Sequence, residues 1–491
     1  MQKRTGPKCP GKKEPVPNAR KGLDMNLKIK DIIKCTNGIL LTGDKELECE
    51  NFSKDTRSIK KGDTFIALKG ENFDGNLFWE DALKNGADTV IMNKIKIENQ
   101  VLEKYKDKNI IQVDDTKTAL GQIATEKRNL YKNLIVIGVT GSVGKTSTKD
   151  IIANVLSQKY KTLKTDGNYN NDIGLPLTIL NLRNHEVAVI EMGMNHLGEI
   201  SYLSKIAKPT ISVITNVGTS HIGLLGSREN ILKAKLEILE GMDNKKVVIN
   251  NDNDMLNKWA KENEDNVDIR TFGIENRSEC MAESIERKEY GSNFICNCKG
   301  DKFNIEVPVG GDAFIFNALC ASLVGKMINL SKEEIQQGVS SFELTKKRME
   351  IINLENDITI INDSYNASLD SMKVAIKYLA NTNAERKIAV LGDMFELGDF
   401  SEELHRKVGE EVANNKIDLL FTIGNDAKFI AKEAESKGIN KDNIYYFNQR
   451  QELVEKLKNT MGKGDSILFK ASNGMKLFEI VQELKNEFLD I

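Results

Sequence analysis

From residue 133 onward, short apolar runs alternate with longer amphipathic segments. Leu134–Ile137, Val187–Ile190 and Thr210–Ile214 are apolar runs of strand length. A Gly-rich turn follows the first run and leads into a segment of helical pattern, Lys145–Gln158. Strands of parallel sheets are buried on both faces and are connected by helices. The pattern therefore predicts a parallel sheet with covering helices in this part of the chain.

The same alternation returns in the last third of the chain. Four apolar runs are separated there by segments of helical pattern, which predicts a second doubly wound α/β unit. Between the two units, Cys280–Val309 has the alternation of antiparallel strands, and Ala313–Met327 has the length and pattern of a helix. The four predicted strands are Ile358–Ile361, Lys387–Leu391, Leu419–Ile423 and Ser466–Phe469.

Residues 25–132 have a more mixed pattern. Strands are predicted at Thr64–Leu68 and Thr89–Asn93, and helices at Phe78–Asn85 and Lys117–Tyr131. We therefore expect an α/β protein of three domains: a mixed α/β N-terminal domain, a central parallel-sheet domain and a C-terminal Rossmann-like domain. The predicted bounds are 25–132, 133–342 and 343–491.

The first 24 residues differ in composition from the rest. They hold seven Lys or Arg, two acidic residues and four of the chain's seven prolines, with no apolar block that would serve a signal peptide. Residues 1–24 are predicted to form a disordered basic arm.

Composition narrows the class of protein. The chain has 491 residues, 40% hydrophobic and 29% charged, as soluble globular proteins have. A net charge of −2 gives no sign of a nucleic-acid partner, and no apolar run reaches the roughly 18–20 residues that a membrane span needs. Seven irregularly spaced cysteines suit a reducing compartment, so a cytoplasmic location is expected. We also expect a monomer.

The Gly-rich turn after Leu134–Ile137 is a candidate phosphate-binding loop. Backbone N–H groups of such a loop, together with the N-terminus of the next helix, attract anions. The spacing differs from G-x-x-x-x-G-K-[ST], because Val139 stands five residues before Gly144. The shorter form T-G-x-x-G-K-T is present instead. The predicted ATP-binding residues of the loop are Thr140, Gly141, Ser142, Val143, Gly144, Lys145, Thr146 and Ser147.

Two polar residues follow neighbouring predicted strands. Glu191 comes directly after Val187–Ile190, and His221 ends a Ser/Gly-containing stretch after Thr210–Ile214. Side chains at the carboxyl ends of parallel strands point at the crevice where ligands bind. Each has an ordinary alternative, since Glu191 could serve as a cap or ion-pair partner and His221 could be an unremarkable loop residue. Beside a phosphate loop, both become candidate active-site residues.

These segments, taken together, resemble the Mur ligases, ATP-dependent ligases of peptidoglycan synthesis that share the T-G-x-x-G-K-T loop. The resemblance runs from Met25 nearly to the end of the chain, and the third-domain segments are most similar to the members that add D-alanyl-D-alanine. It implies the three-domain Mur ligase architecture. The segments that carry it are 53–57, 65–70, 73–75, 165–176, 191–200, 216–221, 226–238, 362–367 and 391–398.

The resemblance also implies roles for individual residues. Asn317, Arg348 and Asp363 are expected at the nucleotide, in addition to the loop. For the last two, a structural salt bridge is the alternative. The expected catalytic residues are Lys145, Glu191, His221 and Lys235, and the expected metal ligands are Thr146, Glu191, His221 and Lys235. The expected substrate-binding residues are Asp55, Thr56, Arg57, Lys69, Asp74, Gly75, Asn168, Asn170, Asn171, Tyr365, Asn366 and Ala367.

The implied activity is ligation of D-alanyl-D-alanine to UDP-N-acetylmuramoyl-tripeptide through an acyl phosphate, giving the pentapeptide. ATP and two Mg²⁺ ions are the implied cofactors. Because an ammonium cannot bind a cation, the resemblance implies that Lys235 is carbamylated. The alternative is a surface lysine on a predicted helix Arg228–Glu240. A nucleotide on the middle domain and an acceptor on the third also imply domain closure before chemistry.

Several positions depart from the family pattern. Ala313-Phe314 stands where His-Asn is usual, and Ser368-Leu369 stands where Asn-Pro is usual. The sequence 470–473 reads Lys-Ala-Ser-Asn in place of Lys-Gly-Ser-Arg. Two alternatives stay open at this point: another Mur-type amino-acid ligase, and a regulatory protein that binds nucleotides at its phosphate loop. Folate polyglutamate ligases share the loop but lack the segment that resembles Asp55–Gly75.

Overall fold

The computed structural model describes residues 25–71 and 73–488. The predicted arm, 1–24, lies outside the described residues. Residues 25–130 form a five-stranded sheet and a small two-stranded one, with the helices packed around them. Their elements are β1 Leu27–Lys28, α1 Ile29–Thr36, β2 Ile39–Thr42, β3 Glu48–Cys49, β4 Phe52–Ser53, β5 Thr64–Ile66, α2 Trp79–Lys84, β6 Thr89–Asn93, α3 Asn99–Lys104, β7 Asn109–Val113 and α4 Thr116–Leu130. The larger sheet has the order β2-β7-β6-β5-β4, parallel except at β2.

The middle of the chain forms a nine-stranded sheet. Its elements are β8 Ile135–Thr140, α5 Lys145–Leu156, β9 Thr162–Lys164, α6 Gly174–Leu180, β10 Val187–Glu191, α7 Glu199–Ala207, β11 Ile211–Ile214, α8 Ile222–Leu225, α9 Arg228–Leu236, β12 Lys246–Asn250, α10 Asp254–Asn263, β13 Asp268–Gly273, β14 Cys280–Lys288, β15 Gly291–Cys298, β16 Asp301–Val307, α11 Asp312–Met327 and α12 Lys332–Ser340. The strand order is β16-β15-β14-β13-β12-β11-β8-β10-β9. As predicted, this region is antiparallel: β15 is antiparallel to both of its neighbours, β14 and β16, and the remaining pairs of the sheet are parallel.

The last part of the chain forms a six-stranded sheet. Its elements are β17 Glu350–Leu354, β18 Ile358–Asn362, α13 Leu369–Ala380, β19 Arg386–Gly392, α14 Ser401–Asn414, β20 Leu419–Ile423, α15 Ala427–Ser436, β21 Ile444–Phe447, α16 Arg450–Lys458, β22 Asp465–Lys470 and α17 Leu477–Phe488. The order is β17-β18-β22-β19-β20-β21. All pairs are parallel except β17 with β18.

The central sheet brings the candidate catalytic segments to one edge. β8 lies between β10 and β11, and the residues paired with it on both sides are buried. The pairing of β10 with β8 places Glu191 beside Val139, and the pairing of β11 with β8 places Ile214 beside Thr140. Because the strands are parallel, the segments that follow all three leave the sheet at the same edge. None of the helices between residues 25 and 488 has both the length and the apolarity needed to cross a membrane.

Candidate active site

One large cavity, of about 1380 Å³, lies at this edge of the central sheet and is closed on its other side by the last part of the chain. Most of the candidate site residues of these two parts line it together. They are Ser142, Val143, Gly144, Lys145, Thr146, Ser147, Asn168, Asn170, Asn171, Glu191, His221, Asn317, Arg348, Asp363, Tyr365, Asn366 and Ala367.

The loop between β8 and α5 has the geometry of an anion site at a helix N-terminus. Gly144 precedes α5 with φ of +80°, a left-handed conformation in which glycine is favoured. The first bond inside the helix runs from Thr148 N–H to Gly144 O, at 2.9 Å. The N–H groups of Lys145, Thr146 and Ser147 therefore precede the helical bonding pattern and point toward the cavity end of the helix.

The earlier part of the loop is held by the segment after β11. Ser142 N–H donates to Asn216 O at 3.0 Å. Val143 N–H donates to the side-chain oxygen of Asn216 at 2.9 Å, and the Asn216 amide donates back to Val143 O at 2.8 Å. The amides of Ser142 and Val143 thus shape the loop, and the amides at the start of α5 are the ones directed at an anion.

Lys145 lies at the centre of the cavity wall. Its ammonium donates to Gly141 O at 3.0 Å. Burial lowers the pKa of Lys145, the Glu191 carboxylate opposes that shift, and the Arg348 cation adds to it. An ammonium has three donors, so Lys145 can bind a phosphate oxygen while it keeps the contact with Gly141.

Glu191 is a buried carboxylate, and its oxygens are held by two neighbours. Thr146 Oγ1 donates to one oxygen at 2.8 Å, and the Asn170 amide donates to the other at 2.7 Å. The side chain is only 1% exposed. A hydroxyl and a carboxylate at the end of a phosphate loop are the oxygen donors that Mg²⁺ takes when phosphate oxygens complete its shell. Among the described residues, no cluster of three or more His, Cys, Asp or Glu side chains could hold a metal alone.

His221 directly precedes α8 and has a φ of +64°. Its Nδ1 lies 2.6 Å from a carboxylate oxygen of Glu396, which comes from the last part of the chain. With Nδ1 engaged, Nε2 is the ring nitrogen left for another partner. Since Mg²⁺ prefers oxygen, a role for His221 at a cation depends on the family resemblance and not on donor chemistry.

Lys235 does not line the cavity. It lies on α9 and is 1% exposed, so the alternative of a surface lysine is wrong. Burial lowers the pKa of Lys235 well below its usual value, and the nearby Lys145 cation lowers it further. The electrostatic effect of Lys145 on Lys235 links this buried lysine to the phosphate loop.

The Asn-rich loop 165–176 packs against the end of β10. Asn170 O accepts from Gly193 N–H at 2.9 Å, in addition to the side-chain contact with Glu191. The Asn171 side chain accepts from Gly174 N–H at 2.9 Å and from Ile173 N–H at 3.2 Å, so it orders the start of α6. The polar groups of this loop support Glu191 and also face the cavity.

The opposite wall carries the residues after β18. The Asp363 carboxylate accepts from Met349 N–H at 3.2 Å and from the buried Lys470 ammonium, which also donates to Asn366 O at 3.0 Å. Arg348 stacks on the Tyr365 ring, with 4.0 Å from the guanidinium carbon to the ring centre. Asp363 and Arg348 are not paired with each other in these contacts. The salt-bridge alternative therefore holds for Asp363 only, with Lys470 as its partner.

Asn317 links the nucleotide side of the cavity to α5. Its side-chain oxygen accepts from Thr148 Oγ1 at 2.8 Å, and the residue is 8% exposed. Phe314, at one of the departures from the family pattern, is buried against Phe342 with ring centres 6.4 Å apart and also lines the cavity. An aromatic wall therefore stands where the family usually has a polar residue.

The structure does not bring every candidate to the cavity. Thr140 and Gly141 lie just beneath it, and Thr140 Oγ1 donates to Met192 O at 2.9 Å. In the first part of the chain, Arg57 forms a two-point ion pair with Asp55, which lowers the pKa of that carboxyl to about 2. The candidates outside the cavity lining are Thr140, Gly141, Lys235, Asp55, Thr56, Arg57, Lys69, Asp74 and Gly75.

Sequence reasoning did not assign four residues that the structure ties to the site. They are Asn216, Asp370, Glu396 and Lys470. Asp370 accepts from Thr219 N–H at 2.8 Å and from Thr219 Oγ1 at 3.0 Å. Two of the four residues lie in segments that resemble the family: Asn216 lies in 216–221 and Glu396 in 391–398. Their position in these segments could have pointed to them. Asp370 lies outside those segments, and its contact joins two parts of the chain.

Three family models match the chain. "Mur ligase family, catalytic domain" matches residues 50–128, "Mur ligase middle domain" matches 139–325, and "Mur ligase, glutamate ligase domain" matches 347–473. A curated relative, the UDP-N-acetylmuramoyl-tripeptide–D-alanyl-D-alanine ligase of Bacillus subtilis strain 168, is 39% identical over 460 residues. That alignment covers 93% of this chain and 98% of the relative.

Solved structures give the same result. MurF from Acinetobacter baumannii superposes with a TM-score of 0.84 at 29% identity, covering 94% of this chain and 99% of that one. The MurF ligase from Thermotoga maritima in complex with ADP superposes with a TM-score of 0.77 at 27% identity, covering 89% and 97%. The fold therefore has the three-domain architecture of these neighbours, and the chain belongs to the Mur ligase family.

Proposed function

We propose that this protein is an ATP-dependent ligase that joins D-alanyl-D-alanine to UDP-N-acetylmuramoyl-tripeptide and so makes the UDP-linked pentapeptide of peptidoglycan synthesis. The observation that carries the proposal is the shared cavity, in which a phosphate loop faces the Tyr365–Ala367 segment of another domain. The similarity to D-alanyl-D-alanine ligases supplies the substrates. We place this activity in the cytoplasm, which agrees with the six free cysteines among the described residues.

The reaction has two balanced steps. First, a carboxylate oxygen of the tripeptide attacks the γ-phosphorus of ATP, and ADP leaves. Second, the amine of D-alanyl-D-alanine attacks the carbonyl carbon of the acyl phosphate, inorganic phosphate leaves, and the nitrogen loses a proton. Both steps develop negative charge on phosphate or carbonyl oxygens. Fixed cations and aligned N–H groups are therefore the main source of rate enhancement.

The phosphate loop is proposed to hold the triphosphate. The N–H groups at the start of α5 would bind its oxygens, and Lys145 would bridge the β- and γ-phosphates. Thr146 and Glu191 would hold one Mg²⁺ and His221 would hold a second. Mg²⁺ supplies charge neutralisation at the transferring phosphoryl group. The 2.8 Å distance between Thr146 Oγ1 and a Glu191 carboxylate oxygen supports this pairing, since one cation could contact both oxygens.

Lys235 is proposed to be carbamylated. A neutral amine nitrogen forms a bond to the carbon of CO₂ and loses a proton, which leaves a carbamate. The depressed pKa of Lys235 favours that neutral amine, and the product would place a negative charge beside Lys145. Incubation with ¹³CO₂ should give a carbamate carbon signal that is absent from Lys235→Ala. Activity of that variant should recover in part with added short carboxylic acids, and full activity without them would refute the role.

The remaining candidate residues are proposed to take the roles that the family resemblance implies for them. Asn317, Arg348 and Asp363 are proposed to contact the nucleoside, and Tyr365, Asn366 and Ala367 the dipeptide. Asn168, Asn170 and Asn171 would face the tripeptide. Residues 25–132 would hold the uridine nucleotide, 133–342 ATP and 343–491 the acceptor. The proposed uridine-side residues are Asp55, Thr56, Arg57, Lys69, Asp74 and Gly75.

A coupled assay tests the function. Phosphate release is measured in the presence of ATP, Mg²⁺ and UDP-N-acetylmuramoyl-tripeptide, with and without D-alanyl-D-alanine. The mass of the product is measured by mass spectrometry. We expect phosphate release that depends on D-alanyl-D-alanine. We also expect a product heavier than the UDP-N-acetylmuramoyl-tripeptide by two alanine residues. Phosphate release at the same rate with and without D-alanyl-D-alanine would instead indicate a nucleotide-dependent regulatory protein.

A further inference from the structure

The segment Gly392–Gly398 begins at the last residue of β19 and is held in place by its own domain. The Asp393 carboxylate accepts from three successive N–H groups at the turn before α15, at 2.7–3.0 Å. Met394 N–H donates to Nε2 of the buried His405 at 3.0 Å. Phe395 N–H donates to Ser472 Oγ at 2.8 Å. Hydrogen bonds that join three consecutive residues to other parts of the same domain hold this segment against its own sheet.

This segment presents Glu396 to the central domain. Glu396 has φ of +63°, outside the usual region for a non-glycine residue. In this conformation its carbonyl oxygen accepts from Gly223 N–H at 3.1 Å, while its carboxylate lies 2.6 Å from Nδ1 of His221. One residue therefore contacts both the backbone and the imidazole of residues 219–223, the His221 loop.

The His221 loop is shaped to accept this contact. A Cβ added at Gly223 would lie 2.4 Å from the carbonyl carbon of Leu397 and 2.5 Å from the nitrogen of Gly398, both of them backbone atoms. The loop is held a second time by Asp370, through Thr219. Two polar attachments and one close backbone approach thus join the domains on either side of His221.

We propose that Glu396 is a positioning residue for His221, and that the imidazole reaches its working orientation only when the 392–398 segment is docked on the loop. A carboxylate that accepts from one ring nitrogen fixes the tautomer and the ring plane, and so directs the other nitrogen. Docking of the acceptor domain would then complete the phosphate site. This inference rests on the proposed function, because it gives His221 a task in the ligase reaction.

Three variants at two positions, Glu396 and Gly223, separate the effect of the carboxylate from the effect of docking. Glu396→Ala removes the carboxylate, and Glu396→Gln keeps an acceptor oxygen without the charge. Gly223→Ala keeps Glu396 but obstructs the docking, and in an undocked helix alanine would be favoured over glycine. The matched controls are Glu355→Ala, an exposed glutamate of the same domain, and Gly462→Ala, where the nearest atom to an added Cβ is the end of an arginine side chain at 3.8 Å.

The first readout is independent of turnover. The chain has four histidines, so ¹⁵N imidazole resonances of the full protein can be assigned by single substitutions. The His221 resonances should shift in Glu396→Ala and in Gly223→Ala and should stay in place in both controls. Unshifted His221 resonances in Glu396→Ala would overturn the proposal, whether or not the protein proves to be a ligase.

The second readout compares the effect of each variant on kcat and on the Mg²⁺ requirement with its effect on ADP binding. Removal of a group that orients a metal-site histidine typically costs 10–100-fold in activity or metal affinity. We expect a loss of that size in kcat or in the Mg²⁺ concentration for half-maximal rate in Glu396→Ala, a smaller loss in Glu396→Gln, and unchanged ADP binding. If Glu396→Ala weakens only the binding of ADP, the proposed positioning role of Glu396 is also overturned. If the unmodified protein shows no dipeptide-dependent turnover, the proposed function fails, while the resonance test still decides the positioning role.

Discussion

The sharpest stability prediction concerns Lys470, which is 2% exposed at the end of β22. Its ammonium is bound by the Asp363 carboxylate and by the carbonyl oxygen of Asn366, 3.0 Å away. Replacement by methionine keeps the length and apolar character of the stem but removes all of these contacts. Asp363 would then be left as a largely buried carboxylate without a cation.

The magnitude follows from the environment of the pair. Removal of one partner from a buried ion pair costs about 3–5 kcal/mol. Asp363 keeps the bond from Met349 N–H and has 15% of its side chain exposed, so we expect the lower end, about 3 kcal/mol. For a domain of this size, 1 kcal/mol corresponds to roughly 2–4 °C in Tm. The third-domain transition of Lys470→Met should therefore fall by roughly 6–12 °C.

Calorimetry of the full chain, together with hydrogen exchange of β18 and β22, measures this loss. The control is Lys463→Met, which removes a lysine from an ion pair whose side chains are 73% and 78% exposed. Such a pair contributes little, so the control should lie within about 1 °C of the unmodified protein. The double variant with Asp363→Asn should recover part of the loss, because it removes the unpaired charge. A Lys470→Met transition no lower than that of the control would refute the reasoning.

Three further predictions follow from the site. Glu191→Gln should lower kcat/KM by roughly 10²-fold, because it removes a preorganised charge at the phosphates; an unchanged rate in steady-state assays would contradict this. Asn216→Ala should raise the KM for ATP by roughly tenfold, since two bonds that shape the loop are lost, while Asn266→Ala on the surface should not. Burial lowers the pKa of His405 from 6.5, so its stabilising effect is complete above about pH 6.5 and is lost as pH falls further. The Tm difference between the protein and His405→Gln, which disturbs the bond from Met394, should therefore shrink between pH 7 and pH 5, and a constant difference would exclude this linkage.

Local pattern was sufficient for most strands of the sheets. Thr89–Asn93 and Leu419–Ile423 were predicted with the bounds that the structure has, because uninterrupted apolar runs of strand length have few alternatives. β8 was predicted to end at Ile137 but continues to Thr140. Gly138 interrupts the apolar pattern, and in the sheet an added Cβ there would lie 3.0 Å from Pro209. The strand continues through Gly138 because this residue pairs with Ile190 of β10 on one side and Ser212 of β11 on the other.

The site was predicted less completely than the fold. The residues that follow β8 and β10 could be inferred, since the ends of parallel strands meet at one edge. The burial of Lys235 could not, because α9 is charged enough to suggest a surface helix and becomes covered only through tertiary packing. The contact of His221 with Glu396 joins residues 175 positions apart and depends on how two domains meet. Neither periodicity nor spacing contains that information.

In the proposed reaction, phosphoryl transfer from ATP activates the tripeptide carboxylate, and an isotope measurement follows this step. UDP-N-acetylmuramoyl-tripeptide labelled with ¹⁸O in its terminal carboxylate is incubated with ATP, Mg²⁺ and D-alanyl-D-alanine, and the released phosphate is analysed by mass spectrometry. If an acyl phosphate forms, one ¹⁸O atom passes from the carboxylate to each phosphate released during ligation. Inorganic phosphate without ¹⁸O, formed while the dipeptide is joined, would contradict the account.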